Sequence, residues 1–164
     1  MGRDPQAAGA RFERRIASDL RTALGEGWTV TRNQTNRQKG QQPGVAGEFA
    51  IDGPSPFPWC IECKDGGGFR VEHLFGRPAP GPLATTSSRE GYCAQAIRQA
   101  ATVGRRPLLV VREPGARLVF AMELAGSAVQ PPGAVVRVDG ELWGVSRWDD
   151  FTDVLAAVRG QNFG

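Results

Sequence analysis

The sequence predicts an α/β fold in a single domain, a mixed central sheet flanked by helices. Three observations carry that expectation. An amphipathic helix opens the chain near Ala7–Leu24, short strands cluster between Trp28 and Lys64, and a second helix beginning near Ser87 leads into Pro107-Leu-Leu-Val-Val-Arg112. A run this apolar is what a central strand buried on both faces shows. The 164 residues suffice for a sizeable core, and 40% hydrophobic with 23% charged residues excludes a disordered composition.

The first helix rests on its period. At about 100° per residue, Phe12, Ile16, Ala17, Leu20, Ala23 and Leu24 share one arc of roughly 140°. Arg11, Arg14, Arg15, Ser18 and Arg21 lie outside it, and Asp19 just beyond its edge. Glu13 alone among the charged residues falls inside the apolar arc. It is either a rim carboxylate that pairs with an arginine or the third acidic group of a metal site. Gly25 and Gly27 end the helix.

Trp28–Asn33 alternates as a first strand. Residues 34–47 are polar, carry Arg37 and Lys39, and read as a solvated loop placed where it could lie along a nucleic-acid backbone. Two more strands follow, Gly47–Asp52 and Trp59–Lys64, separated by Gly53, Pro54, Ser55, Pro56 and Pro58. Residues two apart share a strand face, so Cys60, Glu62 and Lys64 project together, as do Glu48, Ala50 and Asp52. If these strands pair, Glu48 and Glu62 converge with Lys64 one step further on. Two carboxylates on a largely apolar sheet are costly without a cation between them, and a divalent metal supplies one. The plainer alternative makes Glu62 and Lys64 a cross-face ion pair on an exposed strand.

Asp65-Gly-Gly-Gly68 lacks the strand–loop–helix pattern ending in Gly-Lys-Ser/Thr and is no phosphate-binding Walker loop. The irregular segment to about Thr86 carries Arg70, His73 and Arg77, with His73 read as a loop or surface residue. Ser87-Ser88-Arg89-Glu90 fits a capping box for the second helix. That helix has an apolar arc of Cys93, Ala94, Ala96, Ile97, Ala100, Ala101 and Val103; Gln95, Arg98, Gln99 and Thr102 form the other face. Leu118–Leu124 is a further strand, Asp139-Gly140 turns a hairpin between Val135–Val138 and Leu142–Val145, and Asp149 or Asp150 caps a last helix. The core spans about 7–125, with the C-terminal hairpin and helix at 134–160.

No apolar run approaches the roughly 20 residues of a membrane span, and the N-terminus lacks the apolar core of a secretory signal. Three cysteines, an odd number, fit reduced thiols in a cytoplasmic protein. Cys60-x-x-Cys63 is rejected as a zinc or redox motif, because strand geometry sends the sulfurs to opposite faces and His73 is the one histidine. The net charge of +3 is compatible with a polyanionic partner.

The order of helix with Glu13, strand, strand with Glu48, strand with Glu62-Cys63-Lys64, helix, strand resembles the PD-(D/E)xK nuclease superfamily over residues 7–125. Within it the chain is most similar to Hjc/RecU-type Holliday junction resolvases, archaeal or phage. The likeness rests on Gly9-x-x-Phe12-Glu13, Val30-x-Arg32, Gly47-Glu48-Phe49, Ile61-Glu62-Cys63-Lys64 and Gln95-Ala96. It implies a restriction-endonuclease-like core and a Mg²⁺- or Mn²⁺-dependent endonuclease acting on branched DNA as a homodimer. By that resemblance Glu48, Glu62, the Cys63 carbonyl and Glu13 would hold the ion, and Lys64 would orient or activate the attacking water. Arg11, Arg14, Arg32, Arg37, Lys39 and Gln95 would contact DNA. One departure stands out: the superfamily usually places Asp, often after Pro, where this chain has Gly47-Glu48. Asp52, on the same face, is the alternative carboxylate. Cleavage of linear DNA in repair or restriction, and DNA binding without cleavage, are the competing functions.

Overall fold

The computed structural model describes residues 5–33, 46–75, 80–126 and 133–158. Its centre is a five-stranded sheet built from β3 (Trp59–Asp65), β4 (Arg106–Arg112), β5 (Val119–Leu124), β6 (Ala134–Val138) and β7 (Glu141–Arg147). The spatial order is β3-β4-β5-β7-β6, with β3 parallel to β4 and the other neighbours antiparallel. The mixed sheet expected from the sequence is therefore present, and β3 lies at one edge of it. The β6–β7 turn has positive φ at both Asp139 and Gly140, as a two-residue hairpin requires.

The two faces of the sheet carry separate cores. On one, α1 (Pro5–Leu24) buries Phe12, Ile16, Leu20 and Leu24 against Ile61, Cys63, Leu108 and Val110, and α3 (Trp148–Val158) adds Trp148, Phe151 and Leu155. Trp148 Nε1 donates to Asp19 Oδ2 at 3.0 Å, tying α3 to α1. On the other face α2 (Tyr92–Thr102) packs Tyr92, Cys93 and Ala96 over Leu109, Val111 and Met122. Alternation along β3 and β4 thus sends successive side chains into different layers.

Three sequence-based expectations change. The first concerns pairing: β2 (Phe49–Asp52) makes its ladder with β1 (Thr29–Arg32), antiparallel, as a two-stranded sheet of its own. It meets β3 at its beginning, where the Glu48 amide donates to the Ile61 carbonyl at 2.7 Å. The second concerns α2, which starts at Tyr92 with Gly91 as N-cap and no side-chain cap. The Ser87–Glu90 box fails because this stretch is held otherwise: Thr86 N donates to Arg89 O, and Thr85 N to the Asp139 carboxylate at 3.0 Å. The third is His73, which is buried in a short 3₁₀ helix, its Nδ1 accepting from Arg70 N at 3.0 Å. No helix among the described residues is long and apolar enough to cross a membrane.

Candidate active site

Glu62 sits on β3 and is only 3% exposed, so β3 is not the exposed strand that a plain surface ion pair would need. A buried carboxylate needs compensation. Its Oε1 receives it twice, from Lys64 Nζ at 2.6 Å and from Gln95 Nε2 of α2 at 2.9 Å. The Lys64 ammonium lies 5.4 Å from the centre of the Tyr92 ring, whose hydroxyl donates to Gly67 O at 3.2 Å. Tyr92 therefore links the lysine to the triple-glycine turn after β3. Strand parity foretold that Glu62 and Lys64 share a face; nothing in the sequence foretold Tyr92 beneath them.

Glu48 arrives from a different element. It directly precedes β2, and the 2.7 Å bond from its amide to Ile61 O sets it against the open edge of β3, one residue from Glu62. Successive carbonyls of a strand point to opposite edges, so Cys63 O shares that open edge with Ile61 O. Glu48 feels the consequence of this crowding. Burial first, then the charges of Glu62 and Glu13, raise its pKa from 4.5 to about 7, against the lowering effect of Lys64 and Arg32. Two carboxylates, a carbonyl edge and a lysine are thus gathered at one place. Asp52 is exposed at the far end of β2, opposite Thr29.

Gly47 explains the departure from the usual Pro-Asp pair. Its φ is +75°, which proline, fixed near −65°, does not adopt. A Cβ there would lie 2.7 Å from Ile61 O and 2.9 Å from Cys60 Sγ. The chain needs glycine to bring Glu48 this close to β3.

The remaining candidates are placed unevenly. Glu13, half-buried on α1, is ion-paired with Arg32 of β1, whose Nε lies 3.1 Å from Glu13 Oε2. Glu13 thus has the arginine partner that a rim carboxylate would have, and its charge also reaches Glu48. Arg32 correspondingly faces a carboxylate. Gln95, expected on DNA, is bonded to Glu62. Arg11 is exposed beside a cleft of about 570 Å³ that includes Asp65, Gly66 and Arg112. Arg14 is exposed and joins Arg21 and Arg32 around a second cleft of about 480 Å³ between α1 and β1. Arg37, Lys39 and Arg77 lie outside the described residues.

The cysteines are thiols on different layers. Cys63 belongs to the α1 core, Cys60 packs with Ala46 and Ala100, and all three cysteines are free and buried. Burial pushes the Cys60 thiol up to about 11 and holds those of Cys63 and Cys93 well above the ordinary range.

The donor chemistry fits a hard divalent ion. Glu48 and Glu62 offer carboxylate oxygens, the donor type a hard divalent ion prefers. Among the described residues no three His, Cys, Asp or Glu side chains are grouped for an ion.

Helix, strand, acidic strand entry, Glu-x-Lys strand, helix and strand in this order form the arrangement of PD-(D/E)xK nucleases, enzymes that generally use a divalent metal. The chain belongs to the family described as Phage putative PDDEXK endonuclease, whose model matches residues 5–131. An endonuclease family makes DNA the substrate class. No curated protein and no solved structure matches the chain.

Two expectations follow from this geometry. Gly47→Ala should destabilise the protein by at least about 2 kcal/mol, since left-handed backbone and contact with β3 both oppose a methyl group. Urea unfolding measures it, and a loss below about 0.5 kcal/mol would show that Glu48 is not seated against β3. The second uses pH. A carboxyl whose pKa is raised by folding contributes stability below pH 4.5 that is lost as pH rises through about 7. The thermal midpoint of the metal-free protein should fall across that window, and Glu48→Gln should flatten the fall. A variant with the same pH slope as the wild type would locate the strained carboxyl elsewhere.

Proposed function

We propose that the protein is a metal-dependent endonuclease selective for branched DNA, resolving four-way junctions as a homodimer. The observation that carries the catalytic part is the seating of Glu48 against Glu62 at the open edge of β3, with Lys64 paired to Glu62. Glu48, Glu62 and the Cys63 carbonyl would hold a Mg²⁺ or Mn²⁺ ion. Such an ion, when bound, acidifies water and offsets charge that builds on the phosphate.

The chain's own residues do the rest. Gln95 fixes the rotamer of Glu62, so the carboxylate keeps one oxygen toward Lys64 and Gln95. Lys64 presents N–H donors beside the two carboxylates, where it orients the attacking water or the scissile phosphate. The Tyr92 ring below limits its swing. Glu13 and Arg32 neutralise each other next to Glu48 and set the local field rather than bind the ion.

Substrate shape is the finer part of the reading. The exposed Arg11 and Arg14 lie on α1, each beside a cleft, whereas the guanidinium groups of Arg21 and Arg32 are engaged by Val30 O and by Glu13. The guanidinium groups of Arg11 and Arg14 would contact backbone phosphates, which report shape rather than base sequence. Together with the sequence's resemblance to junction resolvases, this is what favours a branched substrate in our reading. A four-way junction needs two related cuts, and two copies related by a twofold axis supply two equivalent sites. The competing readings are cleavage of linear duplex and DNA binding without cleavage.

One gel assay separates them. The wild type should cut a four-way junction in Mg²⁺ and not in EDTA, with little cutting of a linear duplex of the same sequence. Glu62→Ala should lose cleavage by more than about a hundredfold while still shifting the junction. Equal cutting of junction and duplex would replace junction resolution by a repair or restriction role. Absence of metal-dependent nicking on any DNA would leave a binding module.

A further inference from the structure

The short stretch that delivers Glu48 is tied down on every side. Gly47 and Glu48 between them have four main-chain polar groups. Gly47 N donates to Gln99 Oε1 at 3.0 Å, and Gly47 O accepts from Asn33 Nδ2 at 3.2 Å. Glu48 N donates to Ile61 O at 2.7 Å, and Glu48 O accepts from Asn33 N at 2.8 Å. The partners come from α2, from the end of β1 and from β3. Ordinary strand pairing supplies the contacts to Asn33 N and to β3, but the bond to Gln99 reaches across 52 positions of sequence.

Gln99 is unusual for its type. It is 8% exposed, although the amphipathic reading of α2 puts it on the solvent side, and Ala101 takes the exposed place instead. It lies four residues after Gln95, so the two glutamines stand one turn apart on the same side of α2. Gln95 holds the Glu62 carboxylate directly. Gln99 holds the main chain immediately before Glu48. One helix face therefore fixes both carboxylates, one through its side chain and the other through its backbone.

We propose that Gln99 is a positioning residue for the metal-binding pair, setting the separation of Glu48 from Glu62 through the Gly47 amide. The inference rests on the reading of Glu48 and Glu62 as metal ligands. In this reading Gln99 acts through the Gly47 main chain and not as a ligand. Its carbonyl oxygen satisfies a buried N–H at a glycine that has no side chain to steady it, and so keeps Glu48 from turning away from Glu62. A group acting on ligand orientation in this way typically changes metal affinity by about ten- to a hundredfold.

The test is Mn²⁺ binding to the free protein, followed by electron paramagnetic resonance of the unbound ion, with thermal unfolding recorded on the same samples. Gln99→Met keeps the length of the side chain and removes the acceptor. It should weaken Mn²⁺ binding about tenfold, while junction binding in EDTA stays within about twofold of the wild type, since backbone contacts that hold DNA are left in place. Gln99→Leu, smaller and likewise without an acceptor for the Gly47 amide, should weaken Mn²⁺ binding in the same direction and decides the matter if Gln99→Met does not fold. Wild-type Mn²⁺ affinity in a folded Gln99→Met or Gln99→Leu would overturn the inference and leave Gln99 as core packing. A wild type that binds no Mn²⁺ would instead overturn the metal-site reading beneath it, and the inference with it.

Discussion

A single hydrogen bond, from the Glu48 amide to the Ile61 carbonyl, determines how the acidic site is made. It brings the end of a separate two-stranded sheet onto the free edge of the central one. In doing so it sets one carboxylate beside another that is buried, at a place where burial and like charge both oppose ionisation. Folding alone does not favour such a pair. The hydrophobic layers on both sides of the sheet, the glycine at position 47 and the glutamines of α2 hold it in place against its own repulsion.

The same bond explains the division of labour around the site. β3 is an edge strand of the five-stranded sheet, and an unprotected edge invites association with other chains. Here part of that edge receives Glu48 and part faces the site through Cys63. At the C-terminal end of the strand, Asp65 is forked by Arg112 of β4, and that guanidinium lies 4.7 Å from the Phe12 ring centre. The end of β3 is thus anchored to both β4 and α1. Lys64, one residue earlier, pairs with Glu62, lies near the Tyr92 ring, and acts by charge on Glu48. Rigid backbone on either side of a strained charge pair is what a preorganised ion site requires.

Much of this was legible in the sequence because it depends on parity. A period of two put Glu62 and Lys64 on one face and Cys63 on the other, and a period of 3.6 found the buried stripe of α1 from Phe12 to Leu24. Glu48 was legible as a residue and misread as a partner, since residue patterns give no sign that β2 pairs with β1 and only touches β3. Gln99 was missed for a simpler reason. An amphipathic reading counts any glutamine as solvent-facing, whereas a long polar side chain can be buried when one main-chain N–H waits for it. His73 was misplaced in the same way, its ring buried by a local bond to Arg70. The failed capping box at Ser87 shows a local signal losing to a tertiary one, here the reach of Asp139 to Thr85.

Glu48 and Glu62 stand together where the proposed cation would sit. Proton release on metal binding reads that most directly, because a carboxyl with a pKa of about 7 must give up its proton to become a ligand. Calorimetric titration of the metal-free protein with Mg²⁺ in buffers of different ionisation enthalpy should show proton release on binding at pH 6 that shrinks as pH rises through about 7 and is gone by pH 9. Binding without proton release at pH 6, or release that Glu48→Gln leaves unchanged, would contradict the account.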